Sequence, residues 1–230
     1  MTRARFFQLV AASVVCVCLS ITSKASHANI VLHQFEGAPP EDPTSTNALV
    51  TASAFTENNL GGGFGFSSGL GFSTGTVLQI NPPNTTTADI AVGNSEYFSF
   101  TVTPSVGAAL DLTDLTFDAA RGGGGTPRGY EVRSSVDGFA STIDTQDIPT
   151  VRPTLTPFFV DLSAPIYDNL TAPVEFRFYT FSPNNNNSVE YDNFELNGTV
   201  ALASVVPEPG SLGLASLMLL GLIGKRRRQR

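Results

Sequence analysis

Carboxylates are the reactive groups that this chain holds in quantity. Between residues 29 and 204 it has 19 Asp and Glu, five arginines, a single histidine, His33, no lysine and no cysteine. Disulfides, zinc–thiolate centres and cysteine nucleophiles are therefore excluded from that segment. A histidine-based triad would have to run through His33, which sits in LHQF and reads as an ordinary strand residue. There is no HExxH pair, no P-loop and no dinucleotide glycine fingerprint. Two carboxylates alone can cleave a glycosidic bond, but composition is all that supports such a pair here, so the chain is read as a non-enzyme with a glycoside hydrolase as the weaker reading. Acidic oxygens better suit a hard cation such as calcium, which prefers carboxylates together with amide and backbone carbonyls. Sugar hydroxyls are another fitting ligand class. Stacking on their rings would fall to Phe or to Tyr97, Tyr130, Tyr167, Tyr179 and Tyr191, with Arg128, Arg133 and Arg177 as polar partners. Those arginines serve equally well as salt-bridge partners in so acidic a segment.

The elements that must position these groups are strands. Apolar and polar residues alternate in YFSFTV (Phe98, Phe100, Val102), in LTF (Leu115, Phe117), in GYEVRS (Tyr130, Val132) and in VEFRFYTF (Val174, Phe176, Phe178). That is the period-2 signature of half-buried β-structure. Further strands start near Ile30, Leu49, Val77, Phe158 and Val189, for ten or so in all. Asp137-Gly138 suits a tight hairpin turn, since both residues tolerate positive φ. The glycine-rich stretch from Gly61 to Gly75 reads as a loop or irregular edge, and the GGGG (122–125) and NNNN (184–187) runs read as surface loops. Many short strands separated by turn residues predict an all-β domain, a two-sheet β-sandwich of jelly-roll type. Residues 29–204 form one such domain, long enough to bury a core without disulfides.

The termini differ from the body in charge and in kind. Residues 1–28 carry +3 and residues 205–230 carry +4, which leaves −14 on residues 29–204 against a whole-chain charge of −7. So acidic a body excludes nucleic acid as a partner, because phosphate neutralisation needs a Lys/Arg surface. At the N-terminus Arg3 and Arg5 precede an apolar run from Phe6 to Ile21, and Ser26-His27-Ala28 supplies small residues at a cleavage site, the order of a secretory signal helix cut by signal peptidase. Both cysteines, Cys16 and Cys18, lie within that run. At the C-terminus Pro207-Glu208-Pro209 precedes an apolar run from Gly210 to Gly224, and then Lys225, Arg226, Arg227, Arg228 and Arg230. Fifteen helical residues cover about 22 Å, enough for a short transmembrane helix that thins the bilayer. The basic cluster sets its C-terminal end in the cytoplasm.

The Pro-Glu-Pro triplet, Ser211 and Leu212, the Leu-rich span and the arginine cluster resemble the PEP-CTERM sorting signal of Gram-negative bacteria. The resemblance covers about the last 25 residues and implies recognition by a membrane-embedded exosortase after export across the inner membrane. It also implies a transient membrane anchor and a final place at the cell surface or in the extracellular matrix, often alongside exopolysaccharide. The segment from Tyr97 to Val136 resembles a body found among PEP-CTERM proteins, a likeness that supplies no activity. The FEG of residues 35–37 and YDNFEL of residues 191–196 resemble the first and last strands of galactose-binding-like jelly rolls, which include carbohydrate-binding modules. That likeness implies Glu36 and Asp192 as ligands of a structural calcium. The expectation is an exported, non-enzymatic protein of the cell envelope or matrix with a structural or adhesive role, or alternatively a carbohydrate-binding module that holds polysaccharide.

Overall fold

The computed structural model describes residues 28–202, apart from residues 62, 74, 84 and 184–186. The expected signal segment up to residue 27 and the whole sorting tail, residues 205–230, lie outside the described residues. Thirteen strands and one short helix follow in order: β1 Ala28–His33, β2 Ser45–Thr46, β3 Val50–Ala52, β4 Thr56–Asn58, β5 Phe64–Ser68, β6 Thr76–Ile80, α1 Ala88–Asn94, β7 Tyr97–Pro104, β8 Ala108–Arg121, β9 Gly129–Ser134, β10 Asp144–Asp147, β11 Thr156–Asp161, β12 Val174–Phe181 and β13 Val189–Leu202. Among the described residues no helix is long and apolar enough to cross a membrane.

The strands form two antiparallel sheets. One runs β11-β8-β13-β1-β2, with β6 on the same edge of β13 as β1 and β5 outside β6; the other runs β10-β9-β12-β7-β3, with β4 also on β7. Strands β1-β13-β8-β11 thus face β7-β12-β9-β10. From β7 onward the chain passes between the sheets at nearly every connection, the double Greek key of a jelly roll. The sandwich expected from the alternation is therefore present.

Side-chain period explains the core. In β12, Val174, Phe176 and Phe178 are buried between the sheets while Glu175 and Arg177 face outward. Phe98 stacks on Phe178 at 4.9 Å, and Phe117 stacks on Phe194 at 5.1 Å from the opposite sheet. One irregularity bears on function. In β13 the register against β8 shifts between Asp192 and Glu195, and Asn193 adopts φ 51°. This bulge lets both Tyr191 and Phe194, three residues apart, point into the core, which a regular strand forbids. A second shift lies at Gly198, where a Cβ would collide with the Asp111 carbonyl, so only glycine fits.

Two local expectations change in detail. Residues 64–68, in the stretch read as a loop or irregular edge, form the edge strand β5, which pairs with β6 while Phe64 and Phe66 pack against the core. The Asp137-Gly138 pair does not make a two-residue hairpin. Asp137 ends a 3-10 turn with Gly138 in the left-handed region, and its carboxylate accepts from the amides of Ala140 (3.2 Å) and Ser141 (2.9 Å) in a longer β9–β10 connection.

Candidate functional site

The outer face of the β11-β8-β13 sheet carries a trough of about 540 Å³. Its floor follows from strand parity. Leu115 and Phe117 of β8 point inward, which turns Thr116 and Asp118 out; Phe158 and Val160 of β11 point inward, which turns Pro157 and Phe159 out. Phe159 is 58% exposed, a large aromatic face left to solvent. The bulge in β13 adds Asn193 and Glu195. Asn193 Nδ2 donates to Asp118 Oδ2 at 2.8 Å, which fixes both side chains along the wall. Asp118 also borders a second hollow of about 420 Å³, lined by Phe72, Ser73 and Pro153, so the two adjoin across that carboxylate. An exposed ring flanked by carboxylate acceptors and amide groups can stack on a sugar ring and bond its hydroxyls.

The tyrosines nominated for stacking do not serve. Tyr130, Tyr167, Tyr179 and Tyr191 are all buried, and burial raises the phenol pKa of Tyr130, Tyr167 and Tyr191. Their hydroxyls are used internally: Tyr130 donates to Asp144 at 2.7 Å, Tyr191 bonds Thr180 at 2.9 Å and Tyr167 bonds Ser134 at 3.1 Å. Tyr97 is half-buried on the other sheet and is covered by Arg177, whose guanidinium lies 4.3 Å from its ring centre and 3.6 Å from that of Phe139. Arg133 pairs with Glu131 at 2.6 Å and Arg177 with Glu175 at 2.9 Å, so both are committed to salt bridges.

Arg128 differs from both. It is almost wholly buried, and its Nη1 donates to the Ser188 carbonyl at 2.8 Å. Burial pushes its guanidinium below the ordinary pKa, nearby Glu190 pulls it back, and Arg121 and Arg152 add to the lowering. Glu190 is fully buried and its Oε1 accepts from Ser188 Oγ (2.6 Å), Gln79 Nε2 (3.2 Å) and Arg152 Nη1 (3.3 Å). Sequence reasoning missed this cluster. The available signal was that three of only five arginines flank a polyglycine run or a proline.

The two residues nominated for calcium lie just past β1 and within β13. Glu36 Oε1 accepts from the Thr76 amide at 2.9 Å, and Gly75, at φ 90°, brings its backbone so near that a Cβ would stand 3.0 Å from the same oxygen. Asp192 is fully buried one residue beyond Tyr191, which pairs with Leu78, toward the Thr76 end of that strand; its Oδ1 accepts from the Asn193 amide at 2.8 Å. Among the described residues no group of three or more His, Cys, Asp or Glu is placed to hold a metal. An ion on Glu36 and Asp192 would thus take its other ligands from backbone or hydroxyl oxygens, a donor set that suits calcium. His33 is buried among Phe35, Phe55 and Phe100, with Phe55 4.6 Å away, and belongs to the core.

No family model matches the chain, and no curated protein matches it. Among solved structures, the CBM22-1 xylan-binding domain from Paenibacillus barcinonensis is 13% identical with a TM-score of 0.43, over 77% of this chain and 98% of that one. A putative sugar binding protein from Bacteroides thetaiotaomicron is 12% identical with a TM-score of 0.44, over 75% and 100%. The K3 cleaved adhesin domain of Lys-gingipain from Porphyromonas gingivalis is 18% identical with a TM-score of 0.42, over 74% and 100%.

Proposed function

We propose that this protein is an exported, non-catalytic polysaccharide-binding protein of the cell envelope or matrix, delivered through its PEP-CTERM tail and adhesive by virtue of its sandwich. The observation that carries the binding half is Phe159, an exposed ring in a trough walled by Asp118, Asn193 and Glu195. The terminal signals support the delivery half: an export segment at one end, and at the other Pro207-Glu208-Pro209, an apolar run and a basic cluster. In this reading signal peptidase removes residues 1–28, and an exosortase acts near the triplet. Glu36 and Asp192 hold a structural calcium that ties the first strand to the last and takes no part in ligand choice.

The test uses protein recovered from the envelope after export, passed over a panel of immobilised neutral and acidic polysaccharides. Retention by at least one of them without release of reducing ends is expected. Hydrolysis of any polymer on the panel would instead make Asp118 and Glu195, which share the trough, a catalytic pair. Retention by none would leave the trough without its assigned ligand.

A further inference from the structure

The five arginines of residues 29–204 lie off the trough. Arg121, Arg128 and Arg152 meet around buried Glu190 at the end of the sandwich where β8 gives way to residues 122–125. Arg152 precedes Pro153, which lines the adjoining hollow, but its guanidinium is drawn to Glu190 at 3.3 Å. Arg133 and Arg177 are paired on the other sheet. The trough itself bears charge of one sign. Among the described residues that line it or the adjoining hollow stand the carboxylates Asp118 and Glu195, and no lysine or arginine. Asp118 Oδ2 accepts from Asn193, which leaves Oδ1 to accept from a ligand hydroxyl.

Strand register extends this charge over the face. Directly opposite residues of neighbouring strands share a face. Phe159 lies opposite Thr116, which lies opposite Glu195; Pro157 lies opposite Asp118, which lies opposite Asp192; and Asp161 lies opposite Asp114. Over these rows the three strands present five carboxylates and no basic side chain. Strands lie about 4.8 Å apart, and successive outward residues of one strand about 7 Å apart. An anion between Asp118 and Glu195 is therefore within a Debye length of both, about 8 Å at physiological ionic strength, and is repelled by each. The calcium proposed above neutralises only Glu36 and Asp192. The same register gives the trough its direction. Phe159 and Thr116 stand at one level, Pro157 and Asp118 at the next, and the second hollow continues past Asp118 to Pro153 and Phe72. A polymer laid along β8 fills both hollows, where a single sugar fills one.

We propose that the trough and its adjoining hollow select an uncharged polysaccharide, laid lengthwise along β8 with its hydroxyls donating to Asp118 and Glu195, and repel uronic-acid, sulfated and phosphorylated chains. The assignment rests on the polysaccharide-binding reading and adds to it the class of polymer. In its test, dextran, cellulose and each further neutral polysaccharide that the panel retains are lightly substituted in two ways. The hydroxyethyl and carboxymethyl forms share a backbone and similar bulk and differ in charge. Titration calorimetry should show the hydroxyethyl form of a retained polymer bound about tenfold or more tightly than the carboxymethyl form, the scale of a like-charge clash, with the gap narrowing as salt is raised. Asp118→Asn and Glu195→Gln each remove one charge and keep the shape, so each should narrow the gap by tightening the carboxymethyl form. Glu195→Gln decides the matter should Asp118→Asn fail to fold. A hexasaccharide of the retained backbone should bind about tenfold more tightly than its disaccharide, because only the longer chain reaches both hollows. Equal affinity for the two substituted forms, a gap that no folded variant narrows, or equal affinity for the two oligosaccharides overturns the proposal. Binding confined to acidic polymers overturns this assignment and spares the broader reading; binding of no polymer, here or on the panel, overturns both.

Discussion

At the scale of single residues, His33 shows how far burial moves a titration. Desolvation lowers its pKa from 6.5 to about 4, and the nearby Glu41 and Asp42 backbone carbonyls offset this only in part. Between those two values the unfolded chain binds a proton that the folded protein does not. Stability is therefore fully present above pH 6.5 and is lost as pH falls toward 4, by on the order of 3 kcal/mol at about 1.4 kcal/mol per pKa unit. Melting temperatures measured from pH 7 to 4.5 should fall more steeply for the parent than for His33→Phe, which retains a ring beside Phe55. Parallel curves would mean that His33 takes up its proton in the folded state. The strand around His33 and its lack of catalytic company are readable from the residues beside it, but a lone histidine shows no sign of whether its ring faces solvent or core. Adjacent Phe158 and Phe159 pose the same problem: one must face out, and only the pairing of β11 with β8 tells which.

At the scale of elements, alternation was a reliable guide where both faces differ in polarity. In β12, Phe176 and Phe178 alternate with Glu175 and Arg177, so strand and inward face are both readable. In β5, glycine and serine surround Phe64 and Phe66, and the same period is masked by low complexity. The bulge at Asn193 was unreadable for another reason: it depends on Phe194 turning into the core to meet Phe178 of the facing sheet. Calcium belongs to this scale, because its proposed ligands sit just past β1 and within β13. Melting the protein with excess calcium and with chelator should show a gap. A ligand that binds only the native state adds about 2.7 kcal/mol at a hundredfold excess over Kd. Glu36→Gln or Asp192→Asn should close the gap; equal melts of the parent with and without calcium would remove the ion from the account.

At the scale of the whole molecule, the charge of −7 is a sum over parts with different fates. Export and processing as proposed would leave the −14 body alone, about twice as acidic as the full chain. Replacing Pro207-Glu208-Pro209 by alanines should retain the protein in the inner-membrane fraction at a higher mass. Unchanged fractionation and mass would show that the triplet is not read. The jelly roll was legible because many short strands with turns between them admit few architectures. The trough and the arginine end were not, because each joins residues far apart in the chain: Asp118 to Asn193 across β8 and β13, and Arg128 to Ser188 across the sandwich end. The proposed polysaccharide binding turns on a sugar ring stacking on Phe159. Affinity electrophoresis of the parent and of Phe159→Ala, through gels containing the polysaccharide that retains the protein in the panel, tests it directly. Phe159→Ala should melt as the parent does and bind about tenfold more weakly, the scale of losing one aromatic stacking contact. Equal retardation of the two proteins would contradict it.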